Sequence, residues 1–200
     1  MQDIIGKKFN EWTEGVSFEE KRIKIFEKIR DIPFAVVLEL FSLDEGVAGM
    51  LSQNKGFCVP KHYLLGRMYQ ELKIHVRYCT FTFKWSEIMV AYPGELARLA
   101  EQLPVTYHLA CKALIDSRWV LVDATWDSGL KKAEFPVNDQ WDGTSDTKNA
   151  VKPLEEFVHE DAREREKFFE EKMMSYSLPE RLALSRFSGG LNQWLEQLRH

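Results

Sequence analysis

The sequence predicts an α+β protein, and three observations predict it. Apolar residues recur at helical spacing in the first third of the chain and again towards its carboxy terminus. Between these regions lie three stretches of β-branched and aromatic residues in rough alternation. The chain has 200 residues, 44% of them apolar, enough to bury roughly 70% of its unfolded surface around one core. One domain spanning 1–200 is therefore expected, with a core over about 50–130.

Residues 17–30 read as an amphipathic helix. Ser17 is its N-cap and Glu20 completes a capping box, while Phe18, Ile23, Ile25, Phe26 and Ile29 make an apolar face. Residues 32–40 fit a strand or a buried helix equally well. Residues 42–46 and 52–56 are turn-prone. A second helix is expected over 58–72, with Pro60 in its first turn and Leu64, Leu65, Met68, Tyr69 and Leu72 at helical spacing. Strands are expected over 74–84, 104–116 and 118–126, the last two joined as a hairpin through Asp116-Ser117, and a short helix over 94–103. Residues 127–153 hold Gly129, Pro136, Gly143 and Pro153 among many Asp, Asn, Ser and Thr residues, a long connection of the kind that often forms a lid. Helices over 154–175 and 179–188, and a short one after Gly189-Gly190, close the chain as a helical extension over about 154–200.

Charge and cysteine usage exclude several classes. Lys and Arg number 27 against 31 Asp and Glu, a net charge of −4, so no strongly basic nucleic-acid stripe is expected. No run of about 18 apolar residues offers a membrane span, and Met1-Gln2-Asp3 opens no positively charged signal segment. Cys58, Cys79 and Cys111 are an odd set at wide spacings, which argues against a disulfide framework and for free thiols in a reducing compartment. A cytoplasmic location, no membrane partner and no nucleic-acid partner are the expectations.

Two segments carry candidate chemistry. In Gly56-Phe57-Cys58-Val59-Pro60, a cysteine stands where a glycine-containing loop becomes a helix. The helix dipole and free amides there favour a thiolate, and the backbone N–H of Cys58 can face an oxyanion. In the second segment, His108 lies inside an apolar strand and Asp123 lies between Val122 and Ala124, where a carboxylate is costly unless paired. A two-residue turn at Asp116-Ser117 makes His108 and Asp123 diagonal neighbours on one face of the hairpin. A carboxylate bonded to imidazole orients a general base, though the same pair also occurs as a satisfied core contact. A zinc site from Cys58, His62, His108 and Cys111 is disfavoured, because strand positions three apart point to opposite faces. His62 as the base for Cys58 is also disfavoured, since the helix dipole opposes its protonation.

Gly56-x-Cys58 opening a helix, Arg77 on the next strand, His108, and Trp119-Val-Leu-Val-Asp123-Ala-Thr-Trp126 together resemble the transglutaminase-like superfamily, as a small, single-domain, prokaryotic-type member. The resemblance covers roughly residues 50–130. It implies a papain-like core in which the nucleophile helix packs on an antiparallel sheet, with extra helices at both termini. It implies Cys58 as nucleophile, His108 as general base and acid, and Asp123 as the orienting carboxylate. Phe57 and Lys61-His62-Tyr63 depart from the small residues common there and are expected to crowd the mouth of the site. No calcium loop of the Asp-x-Asp-x-Asp-Gly type is present, and no cofactor or metal is expected.

Weaker candidates complete the reading. Gln53 is an oxyanion-donor candidate or a solvated loop amide. Trp126 and Trp141 are candidates for the substrate groove or for the core. Arg77 suits a structural ion pair better than a substrate contact. The acidic stretch 155–172 reads as a surface helix docked through Phe157, Val158, Phe168 and Phe169. The expected function is a thiol enzyme acting on amide or peptide bonds of a peptide or protein substrate through a thioester. Hydrolysis is favoured over cross-linking because 200 residues leave no room for the added β domains of the large cross-linking enzymes. The alternative is a catalytically silent protein-interaction module.

Overall fold

A computed structural model describes residues 2–199; Met1, on which part of the amino-terminal reading rested, and His200 lie outside them. The described elements are, in order, α1 (Gln2–Thr13), α2 (Phe18–Arg30), α3 (Gly46–Gln53), α4 (Cys58–Glu71), β1 (Val76–Phe83), α5 (Gly94–Gln102), β2 (Thr106–Ile115), β3 (Arg118–Val122), β4 (Glu155–His159), α6 (Ala162–Met174) and α7 (Leu178–Arg199). The four strands form one antiparallel sheet in the order β3-β2-β1-β4. The protein is α+β, with α4 packed chiefly on β2 and α6 on β1. No described helix is long and apolar enough to cross a membrane.

Local signals account for the elements that position the site. Ser17 and Glu20 form the expected reciprocal cap at the start of α2. Asp116 and Ser117 both take positive φ, 49° and 64°, the pattern of a two-residue turn whose twist suits a hairpin. The turn sets the register in which Ile115 faces Arg118 and Cys111 faces Val122. Gly66 lets α4 lie close on β1, since a Cβ there would come within 2.0 Å of the Tyr78 hydroxyl.

Five expectations need correction. Gly46 and Ser52-Gln53, at the edges of the two turn-prone segments, belong instead to the helix α3, while α1 supplies the extra amino-terminal helix. Residues 155–159 are the edge strand β4, so the carboxy-terminal region is not wholly helical and the acidic stretch is not one surface helix. Gly189-Gly190 do not break α7, where Gly190 sits against Leu96 of α5. The strand expected over 118–126 ends at Val122.

The fifth correction concerns 127–153, which is anchored along its length and is not a free lid. Thr147 donates its backbone N–H to Leu121 O. The Asn138 side chain bonds Asp123 O and both backbone groups of Lys148.

Residues 32–40 are neither strand nor helix throughout. They run extended into a 3₁₀ turn at Leu38–Leu40, and Phe34 bridges Gly56. Asn192 of α7 bonds both backbone groups of Val36. Buried Asp127 accepts Phe34 N–H at 2.8 Å and the Arg199 guanidinium at 2.7 and 3.2 Å. The Pro33–Val36 segment is thus held beside the loop that leads into α4. Replacing Asp127 with Ala strands the Arg199 charge and an amide, and should cost about 3 kcal/mol of unfolding free energy. Urea denaturation measures this; an unchanged midpoint and slope would refute the role assigned to the pair.

Candidate active site

The amino terminus of α4 is fixed from both sides before any side chain is considered. Gly56 exchanges backbone bonds with Pro33 and Ala35 at 3.0 and 2.8 Å. Phe57 is buried and packs edge-on against Phe41, 4.6 Å between ring centres. Cys58 is the first helical residue, partly exposed, and no side chain caps the helix. The Cys58 amide therefore stands at the positive end of the helix dipole without a competing cap.

β2 delivers His108 and the chain just past β3 delivers Asp123. Both are buried, and His108 Nε2 meets Asp123 Oδ2 at 2.8 Å, the diagonal contact expected of the two-residue turn. Cys58 and His108 line the same cavity and shift one another's ionisation. With Nε2 engaged by the carboxylate, Nδ1 is the nitrogen left for the thiol.

Asp123 is fully supplied with donors. Oδ2 also accepts Ala150 N–H at 2.8 Å, while Oδ1 accepts the Thr125 backbone N–H at 3.1 Å and its hydroxyl at 2.6 Å. The anchored 127–153 segment supplies Ala150 and holds the Asp123 backbone through Thr147 and Asn138.

These contacts set the charges. Burial alone would raise the Cys58 thiol, but the hydrogen bond and charge of His108, with the Leu109 amide and Arg165, bring it below its ordinary value. Burial alone would lower His108, but Asp123 and Cys58 push it up to about 10. Burial opposes Asp123 ionisation too, yet His108 holds its carboxyl well below the usual range. The pair is thereby biased towards a thiolate beside an imidazolium, backed by a carboxylate.

His62 is not the base. Its Nδ1 donates to Cys58 O at 2.7 Å and its Nε2 accepts Ala124 N–H at 3.0 Å, so it links α4 to the chain beyond β3 as a neutral ring. Burial lowers its pKa to about 4. Lys61, His62 and Tyr63 are completely buried and do not crowd the mouth, contrary to expectation; Lys61 Nζ instead donates to Arg30 O and Thr125 O, 2.8 Å each.

The weaker candidates divide. Trp126 is buried and lines the cavity on which Cys58 opens. Trp141 does not line it; the ring packs on Phe26, 5.0 Å between centres, and its Nε1 donates to Ser145 O. Gln53 is exposed in the last turn of α3 and is not a cavity-lining residue, because the segment taken for a loop is a helix that ends there. Arg77 pairs with Glu160 at 2.9 Å and stacks on Trp119 at 4.3 Å, away from the cavity lining.

Two contributors were missed. Thr125 had a sequence signal, since a hydroxyl two residues after an acid is a common local hydrogen-bonding pattern. Arg165 had none, being one basic residue among many acids. It is fully buried, bonds Tyr63 Oη at 3.2 Å and Thr80 Oγ1 at 3.4 Å, and lies 4.4 Å over the Phe169 ring. No carboxylate pairs with it among the described salt bridges, and its Nη2 has no hydrogen-bond partner.

The cavity has a volume of about 270 Å³. Cys58 and His108 share its wall with aromatic residues.

Alkylation should distinguish the three thiols. Thiolate forms as pH rises through the thiol pKa, so Cys58 should reach its plateau rate at a lower pH than an ordinary thiol. Burial pushes Cys79 up to about 12 and Cys111 well above its ordinary value. Iodoacetamide labelling at neutral pH, read by peptide mass, should favour Cys58 by at least ~100-fold. Arg165→Met should move the Cys58 rate–pH midpoint upward; an unmoved midpoint, or equal labelling of all three thiols, contradicts this electrostatic picture.

A second expectation concerns stability. The unfolded chain protonates His62 near 6.5, whereas the folded ring resists a proton until about 4. Stability from this group is present above 6.5 and is lost as pH falls between those values, by up to about 1.4 kcal/mol per pH unit. His108, raised in the fold, contributes fully below 6.5 and does not offset the loss. Urea titrations across this window should show the acid limb in the wild type and a shallower one in His62→Gln; identical limbs would refute it.

No family model matches the chain, and no curated protein matches it. Among solved structures it is similar to a protein named as a putative cysteine protease from Cytophaga hutchinsonii, with 14% sequence identity and a TM-score of 0.47. The similarity covers 81% of this chain, which spans only 44% of that protein.

Proposed function

We propose that this protein is a transglutaminase-like thiol enzyme that cleaves amide or peptide bonds through Cys58, His108 and Asp123. The observation that carries the reading is His108 bonded to a buried carboxylate while it shares a cavity wall with a thiol at the start of a helix. A buried His–Asp pair serving only the core has no need of a thiol at a helix terminus opening on a cavity.

The thiolate of Cys58 attacks the carbonyl carbon, forming a C–S bond and an oxyanion near the Cys58 amide. His108 gives its proton to the departing nitrogen as the C–N bond breaks, leaving a thioester and a neutral imidazole. Water, losing a proton to His108, then attacks the thioester; a C–O bond forms, the C–S bond breaks, and thiolate and imidazolium return. Asp123 keeps the ring oriented and stabilises its charged form. We propose water as the acyl acceptor, since it needs no binding site beyond the cavity.

The test is turnover of a fluorogenic peptide-amide library by the wild type, Cys58→Ala and Asp123→Asn, with and without a primary amine. Cys58→Ala should be inactive, and Asp123→Asn should lose about a hundredfold or more in kcat. Full activity of Cys58→Ala would overturn the proposal. Product carrying the amine in place of free acid would redirect it to acyl transfer.

A further inference from the structure

Resting on that reading, we infer that the acyl half of the substrate is apolar, an aryl or medium-chain aliphatic group, and not a glutamine-type carboxamide. The inference comes from what the cavity wall offers. Phe34, Phe57, Phe83 and Trp126 line it and are no more than 4% exposed, and Phe169 and Tyr176 line it at 8% each.

The polar tips in this wall are turned away into protein bonds. Thr106 Oγ1 donates to Phe83 O, Thr125 Oγ1 to Asp123 Oδ1, Trp126 Nε1 to Ala150 O and Tyr176 Oη to Val105 O. Four donors that might have received a carboxamide oxygen are thereby spent on the scaffold. The other polar lining residues besides the proposed catalytic pair, among them Arg181 and Ser185, are partly or fully exposed and belong to the mouth.

A carboxamide pressed into this wall would give up its water and find none of these donors free for its oxygen, which is unfavourable. A hydrocarbon gives up nothing of that kind and gains from leaving water. Size points the same way. At about 270 Å³ the cavity is well above the ~150 Å³ that accommodates a benzene. It suits an aryl group with a short linker, or an aliphatic chain of about eight carbons at roughly one water-sized volume of ~30 Å³ per carbon.

The experiment measures acylation of Cys58 by p-nitrophenyl esters of straight-chain acids from acetyl to dodecanoyl, and by the matching ester of a glutaryl-type amide. Thiolate attack forms the C–S bond and releases p-nitrophenolate, so the burst counts acylated enzyme and intact-protein mass locates it. The full chain is used, with Cys58→Ala as the control. The acylation rate constant over Kd should climb by about fourfold per methylene, reaching at least a hundredfold between acetyl and octanoyl, then level or fall once the cavity is full. The carboxamide ester should lag the aliphatic ester of equal length by tenfold or more. Leu184→Trp, which intrudes on the cavity from α7, should lower the octanoyl-to-acetyl ratio by at least tenfold.

Acylation of Cys58 with a flat or falling chain-length profile, or with the carboxamide ester preferred, overturns the apolar assignment and leaves the thiol-enzyme reading intact. Absence of Cys58 acylation by every ester overturns both.

Discussion

A carboxylate with no access to water must be surrounded by donors, and Asp123 is the point at which this protein meets that demand. His108, Thr125 and Ala150 each donate to it, so β2, the chain leaving β3 and the far end of the 127–153 segment are bound to one side chain. His62 joins α4 to the same neighbourhood through Ala124. The carboxylate remains charged because these donors are arranged around it, and its charge in turn holds the proton on His108. Closure of the long segment at Ala150 and ionisation of the ring thus both turn on one buried charge.

The surroundings of Cys58 pull in opposite directions. Aromatic walls exclude water and would by themselves keep the thiol neutral. The imidazolium, the uncapped start of α4 and the buried Arg165 reverse that outcome at short range. An apolar cavity strengthens such interactions because little solvent screens them. The features that would favour an apolar acyl group therefore also sharpen the electrostatics of the pair that would attack it.

Much of this arrangement was legible in the sequence because it depends on short-range rules. Asp116-Ser117 fixed the hairpin register, and with it the His108–Asp123 contact. Ser17 and Glu20 announced the start of α2, and the periodicity after Pro60 announced α4. The rest depended on long-range partners. β4 is an acidic edge strand of five residues, and edge strands often carry charge that disguises them. α3 is short and glycine-containing, so its helix rests on tertiary packing against Leu40 of the 3₁₀ turn and against α4 more than on propensity. Gly189-Gly190 read as a break because the close approach of α5 at Gly190 was invisible. Trp141 and Gln53 fell away from the cavity for the same reason, since residue type alone does not say which side of a fold a loop or helix end will occupy. Arg165 shows the limit most plainly: nothing local distinguishes a buried, carboxylate-free arginine from its solvated neighbours.

The central claim is that Cys58 and His108 exist as a thiolate–imidazolium pair sustained by Asp123. Its most direct measurement is a ¹⁵N NMR titration of the His108 ring in the wild type, in Cys58→Ser and in Asp123→Asn. A ring that stays protonated through neutrality and titrates near 10, with a lower midpoint in each variant, is the expected result. A wild-type His108 that loses its proton at the ordinary value of 6.5, with midpoints unmoved by either substitution, would contradict it.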